Sequence, residues 1–220
     1  MRIVLFGPPG VGKGTQARLL HERRGLEHIS TGILLRRAMR EGTPLGKEAM
    51  AYVNEGKLVP GHLVRKLAED AIAEHGYDDF VLDGYPRTIE QAEWLQAFLE
   101  EHGRPLQAVL SLQVPDEVIV DRLSKRRVNR ETGENYHLDF KPPPPDVDPD
   151  LIVQRPDDRP EAILKRLEVY RAETKPVEQF YEQRGLLYRV DGVGEFEEVH
   201  RRISEILDRL ADTSVPGTVG

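Results

Sequence analysis

The sequence contains no cysteine, which excludes disulfides, thiol catalysis and cysteine-built zinc sites. No apolar run approaches the roughly 18 residues that a membrane-spanning helix needs. Basic residues are not in excess either. Against 38 Asp and Glu stand 31 Lys and Arg, for a formal net charge of -7, a balance that argues against a general nucleic-acid binder. The opening Met-Arg-Ile-Val-Leu-Phe is too short for a secretory signal and runs straight into glycines. The expectation is a soluble, cytoplasmic protein without membrane or nucleic-acid partners, and a monomer by default.

What is there is a globular balance. Over 220 residues, 39% are hydrophobic and 31% charged, enough for one cored domain or one domain carrying an insertion. Of the 31 basic residues 23 are arginine, whose planar fork suits carboxylate and phosphate and leaves room for a local phosphate site.

Short apolar runs alternate with helical periodicities. Strands are expected at 1–6, 80–83, 107–114 and 186–190. Helices are expected at 13–24, 30–40, 44–54, 63–75, 88–102, 116–127, 158–184 and 195–210, with Gly25, Gly42, Gly56 and Gly76 as stops. Asp158 and Glu161 have capping-box spacing, with Pro160 between them. From Val128 to Pro156 the helical period disappears, four consecutive prolines (142–145) intervene, and scattered β-formers suggest a small β-rich flap. The tail 211–220 reads as frayed. Strands alternating with helices predict an α/β fold with a parallel sheet covered on both faces, whose ligands bind at the carboxyl ends of the strands.

Both central strand ends carry something. After Phe6 comes Gly7-Pro8-Pro9-Gly10-Val11-Gly12-Lys13-Gly14-Thr15, between a strand and a helix. It approaches the phosphate-loop pattern, with Gly14 in the usual hydroxyl place and Thr15 one later. Backbone N–H groups must curl around phosphate oxygens there, a Cβ would obstruct them, and Lys13 reaches the β and γ phosphates. After the strand 80–82 comes Asp83-Gly84-Tyr85-Pro86-Arg87, where a carboxylate beside the phosphate loop suits a nucleotide-bound Mg2+ met through water. Gln91 carries an amide that can read an adenine edge. His28, His62 and His137 read as surface or packing histidines, and no general base is assigned, because a phosphate nucleophile is already anionic.

GPPGVGKGT, Ser30-Thr31-Gly32, Gly56-Lys57-Leu58-Val59, Asp83-Gly84-Tyr85-Pro86-Arg87 and Arg155-Pro156-Asp157-Asp158 together resemble the adenylate kinase family, over essentially 1–210. Gly14 is part of that resemblance. It implies a phosphate-loop NTPase-type, five-stranded parallel sheet flanked by helices, with a helical NMP-binding insertion and a β-rich lid. The implied division is a core over 1–29, 60–127 and 158–210, an NMP-binding segment at 30–59, a lid at 128–157 and a flexible tail. The implied reaction is reversible phosphoryl transfer from MgATP to AMP, giving two ADP. A pyrimidine monophosphate kinase and a non-catalytic nucleotide-binding module are the alternatives, the first disfavoured by the long lid.

By the same resemblance, Gly10, Val11, Gly12, Lys13, Gly14 and Thr15 would cradle the ATP phosphates, and Asn135, Tyr136 and Gly194 would line the ATP side. Thr31, Arg36, Lys57, Leu58, Val59, Gly84, Tyr85, Pro86, Arg87 and Gln91 would hold AMP. Arg122, Arg126, Arg155 and Arg166 would converge on the transferred group, with Lys13, Asp83 and Arg87 beside them. Two departures stand out. The places where long lids carry zinc ligands hold Asn129 and Thr132, with Asp148 and Asp150 downstream, so no structural zinc is expected. Where the family places an aspartate after Ser-Thr-Gly, this chain has Ile33, which either packs on the following helix or costs the closed state a contact.

Overall fold

A computed structural model describes residues 1–55 and 57–213. Its main sheet is built from β1 (Arg2–Phe6), β2 (Glu27–Ser30), β3 (Phe80–Asp83), β4 (Ala108–Gln113) and β8 (Leu187–Asp191), all parallel in the order β2-β3-β1-β4-β8. The central strand β1 shows why the sheet is covered twice. Val4 and Phe6 enter one apolar cluster, Ile3 and Leu5 the other, as the two-residue period of a strand requires.

On the Ile3 face lie α1 (Lys13–Arg24) and α9 (Phe196–Thr213), through Ala17, Leu20, Val199, Ile203 and Leu207. On the Val4 face lie α4 (Gly61–Glu74), α5 (Ile89–Glu101) and α8 (Val177–Glu182), through Ala68, Ile72, Leu95, Leu99 and Tyr181. Two further helices, α2 (Thr31–Arg40) and α3 (Pro44–Asn54), follow β2, capped by the Ser30 and Thr43 hydroxyls. They cross so closely that any Cβ on Gly46 would run into the Ala38 carbonyl.

Between α6 (Asp116–Ser124) and α7 (Pro160–Val169) sits a three-stranded antiparallel sheet. It comprises β5 (Arg126–Asn129), β6 (Asn135–His137) and β7 (Ile152–Val153) in the order β6-β5-β7. Its two flanking helices are pinned together by Ile119, Leu123, Ile163 and Leu167.

The structure corrects the sequence reading in four places. β2 was not anticipated, because Glu27-His28-Ile29-Ser30 lacks an apolar alternation; it forms as an edge strand in register with β3. The helix expected over 116–127 ends at Ser124, since Arg126–Val128 pair with β6. The single helix expected over 158–184 is broken into a 3-10 turn (Pro156–Asp158), α7, a π-helical turn (Tyr170–Thr174) and α8, with Pro176 before α8 supplying no N–H. No capping box forms at Asp158: Arg159 occupies the N-cap, and the Asp158 carboxylate is engaged elsewhere. At the carboxyl end, residues 211–213 continue α9. Gly56 and the remaining tail, 214–220, lie outside the described residues.

Candidate active site

Leu5 of β1 stands opposite Asp83 of β3, so the glycine loop and the Asp83 segment emerge side by side. In the loop, Gly10 and Gly12 take φ of +79° and +106°, values that side-chain-bearing residues rarely adopt. Gly10 also rests on Leu123, where a Cβ would come 2.6 Å from Cγ. Val11 is buried in the core, while Gly14 and Thr15 are exposed at the start of α1. Lys13 folds back over the loop, its Nζ donating to the carbonyls of Gly7 (2.8 Å) and Pro8 (2.9 Å). Burial pulls the Lys13 pKa down to about 8; Asp83 opposes this, while Arg87, Arg166 and Arg126 add to it.

A Cβ on Gly14 would lie 3.7 Å from Asp83 Oδ2, which places the carboxylate at the head of α1. Burial would raise the Asp83 pKa, but His28, Lys13 and Arg87 outweigh it and hold the group below its ordinary value. His28 Nε2 is 3.6 Å from Asp83 Oδ2, so this histidine belongs to the site's surroundings and is more than packing. His62 is exposed, and His137 serves its own turn, Nδ1 accepting from the N–H of Asp139 at 3.2 Å.

Three arginines gather on two adjacent carboxylates. Arg126 grips Asp158 through Nε (2.7 Å) and Nη2 (2.5 Å). Arg155 grips Asp157 the same way (2.9 and 2.5 Å). Arg166 Nη1 donates to the Asp157 carbonyl at 2.8 Å and lies 3.3 Å from Asp158 Oδ1. Burial would raise Asp157, yet Arg155 and Arg166 hold its pKa at about 2. Burial lowers Arg166 to about 10 and Arg36 to about 9, Arg155 pushing Arg36 the same way. Burial and neighbouring guanidinium groups thus both act against the charge on Arg36 and Arg166, a setting that an incoming anion would relieve. The sequence reading gives neither carboxylate a place in the site; it has Asp158 only as a helix cap. Their adjacency in Arg-Pro-Asp-Asp was the available signal.

Beside this cluster opens a cleft lined by Thr31, Arg36, Lys57, Leu58, Val59, Gly84, Arg87, Gln91, Arg155 and Arg166. Leu35, Val53 and Val64 complete its apolar wall; the sequence reading does not single them out. Gly84 has a φ of +86°, and a Cβ there would sit 2.9 Å from Thr31 Oγ1. The amide of Gln91 is oriented: its Oε1 accepts the Arg87 N–H at 2.8 Å, so Nε2 is the end left for a ligand. Tyr85 and Pro86 are buried, and the Tyr85 side chain belongs to the core, so these two do not offer side chains to the cleft.

The remaining sequence-predicted residues lie outside that cleft. Arg122 does not join the other arginines: it bridges the carbonyls of Val11 and Gly192, each at 3.2 Å. Gly194 is exposed on the same side, with φ +111°. Asn135 is exposed and Tyr136 is buried within the small sheet, its hydroxyl donating to Glu134 at 3.0 Å. Asn129 Oδ1 accepts the N–H groups of Glu131 (2.9 Å) and Thr132 (3.1 Å), and Asp148 Oδ1 that of Asp150 (2.9 Å). Among the described residues no three His, Asp or Glu side chains form a metal-binding group. Ile33, in the first turn of α2, is 49% exposed, so about half of its side chain is left uncovered.

Among the described residues no helix is long and apolar enough to cross a membrane. The family model described as Adenylate kinase matches residues 5–186. A protein of Salinibacter ruber named adenylate kinase is 62% identical over 210 residues, covering 96% of this chain and 99% of its own. Adenylate kinases of Clostridium tetani and Chloroherpeton thalassium are 42% and 43% identical, covering 96% and 94% of this chain and 100% and 98% of theirs. The likeness thus runs through the glycine loop, the Asp83 segment and the arginine-bearing helices alike, and the chain belongs to the adenylate kinase family.

Proposed function

We propose that this enzyme transfers the terminal phosphoryl group of MgATP reversibly to AMP, giving two ADP. The carrying observation is the gathering of cations, Lys13, Arg87, Arg126, Arg155 and Arg166, between the glycine loop and the Gln91 cleft; burial lowers the Lys13 pKa, and Arg87, Arg166 and Arg126 lower it further against the pull of Asp83. The ATP phosphates lie on Gly10 to Thr15, and the nucleoside end lies toward Arg122, Gly194, Asn135 and Tyr136. AMP occupies the cleft, its phosphate toward Arg36 and Arg87 and its base toward Gln91 Nε2, with Thr31, the Lys57–Val59 backbone and Gly84 shaping the walls.

A phosphate oxygen of AMP attacks the γ-phosphorus in line as the bond to the departing ADP breaks. The nucleophile is already anionic, so no base is needed. The work is alignment and charge neutralisation. MgATP and AMP together bring roughly four negative charges at neutral pH, which Lys13 and the arginines offset in a low-dielectric cleft. Mg2+ arrives with ATP, and Asp83, held ionised beside Gly14, suits contact with its hydration shell. No zinc is assigned to the small sheet, since Asn129, Thr132 and Asp148 already serve backbone turns.

The moving parts are 30–59 over AMP and the lid, 128–157, over ATP, on a core of 1–29, 60–127 and 158–210; closure excludes water from the transfer. The protein works as a cytoplasmic monomer. A coupled assay of ADP formation from ATP with AMP, CMP, UMP or GMP tests the reading. Turnover with AMP far above the other three is expected, and turnover with a pyrimidine nucleotide alone, or with none, overturns it.

A further inference from the structure

Gln16 is a buried amide that packing does not explain. Its side chain is 2% exposed, Nε2 donates to the Phe196 carbonyl at 2.9 Å, and Oε1 is buried without a partner. A methionine would fill the same space without stranding an acceptor. Nor is the bond needed to dock α9 on α1. Ala17, Leu20, Val199 and Ile203 already pack the two helices, and Arg23 grips Glu197 through two hydrogen bonds (2.8 and 2.6 Å).

The bond has a particular address. Gln16 is one turn beyond Lys13 on α1, its N–H bonding back to the Gly12 carbonyl at 3.1 Å. Phe196 opens α9, directly after the turn that carries Gly192 and Gly194. That turn is held from other sides too. Gly192 N–H bonds the Gln113 carbonyl (2.8 Å), Arg122 joins the Gly192 carbonyl to that of Val11, and Arg202 holds the carbonyls of Asp191 (2.8 Å) and Val193 (2.6 Å). Two side chains of the helix that bears Lys13 reach the turn's carboxyl end: Arg23 holds the exposed Glu197 carboxylate, whereas Gln16 is buried and bonds the main chain of Phe196 itself. Val193 and Phe196, 43% and 45% exposed, leave apolar surface beside it.

We propose that Gln16 is a positioning residue that sets the 192–196 turn at a fixed height above the phosphate loop, so that ATP can hold both at once. The proposal rests on the placing of ATP's nucleoside at this turn. A ligand gripped at both ends is sensitive to the distance between the grips, because a shifted turn must be reordered on binding. AMP, in the cleft on the other side of Lys13, does not touch Gln16 or the turn.

Gln16→Met is the test, with KM for ATP and for AMP, kcat and the thermal midpoint all measured. Losing one neutral hydrogen bond predicts an ATP KM raised about three- to tenfold. The AMP KM and kcat are expected to stay within about twofold, and the midpoint within about 2 °C. Gln16→Asn, too short to reach Phe196, should give the same split and serves if the first variant folds poorly. Unchanged ATP KM in both, equal changes in both KM values, or a loss of thermal stability alone overturns the proposal. A wild-type enzyme that does not use ATP would instead overturn the placing of ATP, and the two failures are therefore distinct.

Discussion

The Arg126 guanidinium holds the fully buried Asp158 carboxylate by two parallel hydrogen bonds, at 2.7 and 2.5 Å, across 32 residues of sequence. Arg126 begins β5 and Asp158 precedes α7, so the pair ties together the two places where the small sheet leaves and rejoins the rest of the chain. Arg166 shares the same carboxylate at 3.3 Å. Removing Asp158 strips Arg126 of its counter-ion, while Arg166 keeps Asp157 at 3.2 Å. Asp158→Ala is expected to lower stability by about 3–5 kcal/mol, the cost typical of breaking a buried pair from one side, and urea unfolding measures it. A loss below about 1 kcal/mol would mean the pair behaves like an exposed one.

Much of the fold is legible in the sequence where local chemistry decides. The apolar run Ile3–Phe6, the glycine loop and the helix after Arg87 all follow from near neighbours; the structure refines the last by making Thr88 the cap of α5, its hydroxyl accepting the Gln91 N–H at 3.2 Å. Asp158 shows where local chemistry is overruled. Its spacing to Glu161 fits a capping box, but a guanidinium from a distant strand binds a carboxylate more strongly than a helix N–H does. Likewise β2 exists because β3 offers it a partner, and no pattern in Glu27–Ser30 announces it. The family resemblance names the arginines; the Arg155–Asp157 pair lies within two residues, whereas the hold of Asp158 on Arg126 needs the tertiary approach of β5 and α7.

The proposed reaction puts the meeting phosphates at Lys13, so Lys13→Met should cut kcat about a hundred- to a thousandfold, the usual cost of one preorganised contact to developing charge. Circular dichroism and the thermal midpoint should stay near those of the wild type, because Lys13 holds loop carbonyls and fills no core site. Arg87→Ala is expected to do the same. Near-normal turnover in either variant would remove that residue from the site.

The same lysine makes ATP binding sensitive to alkali. Its pKa in the free enzyme is about 8, lowered first by burial. Below that value Lys13 is charged and, in the proposed complex, meets the triphosphate; above it the charge is lost, and binding must supply a proton. The KM for ATP is therefore expected to rise from about pH 7.5 to 9, by up to tenfold per pH unit once the group is neutral. In Lys13→Met this limb should flatten. A wild-type ATP KM level through pH 9 would contradict a depressed Lys13.

The small sheet is expected to be indifferent to chelators. Asn129 is 4% exposed and spends its Oδ1 on two backbone N–H groups, which leaves a turn already closed without metal. Elemental analysis of purified protein should find no stoichiometric zinc, and EDTA should leave the thermal midpoint unchanged. Asn129→Ala, which unties the turn, should lower stability by about 1–2 kcal/mol. One zinc per chain would show that oxygen ligands suffice here.

Ile33 offers the sharpest test of how α2 shapes the AMP side. It occupies the third position of the helix, its N–H donating to Ser30 Oγ at 3.4 Å, and the first turn contains no acidic residue. At 49% exposure its side chain gains little from burial. Its surroundings are positive: the Arg36 guanidinium folds back toward Gly32, and both burial and Arg155 depress the Arg36 pKa. A carboxylate here would face the helix dipole favourably, by about 0.3–1 kcal/mol, and could meet Arg155 as the cleft closes. Ile33→Asp is expected to raise the thermal midpoint by about 1–3 °C and lower the AMP KM about two- to threefold, with both effects shrinking in 0.5 M salt. Ile33→Asn, which has the shape without the charge, should match the wild type in both. If Ile33→Asp changes neither quantity, no closing contact is missing at this position and the isoleucine is simply tolerated.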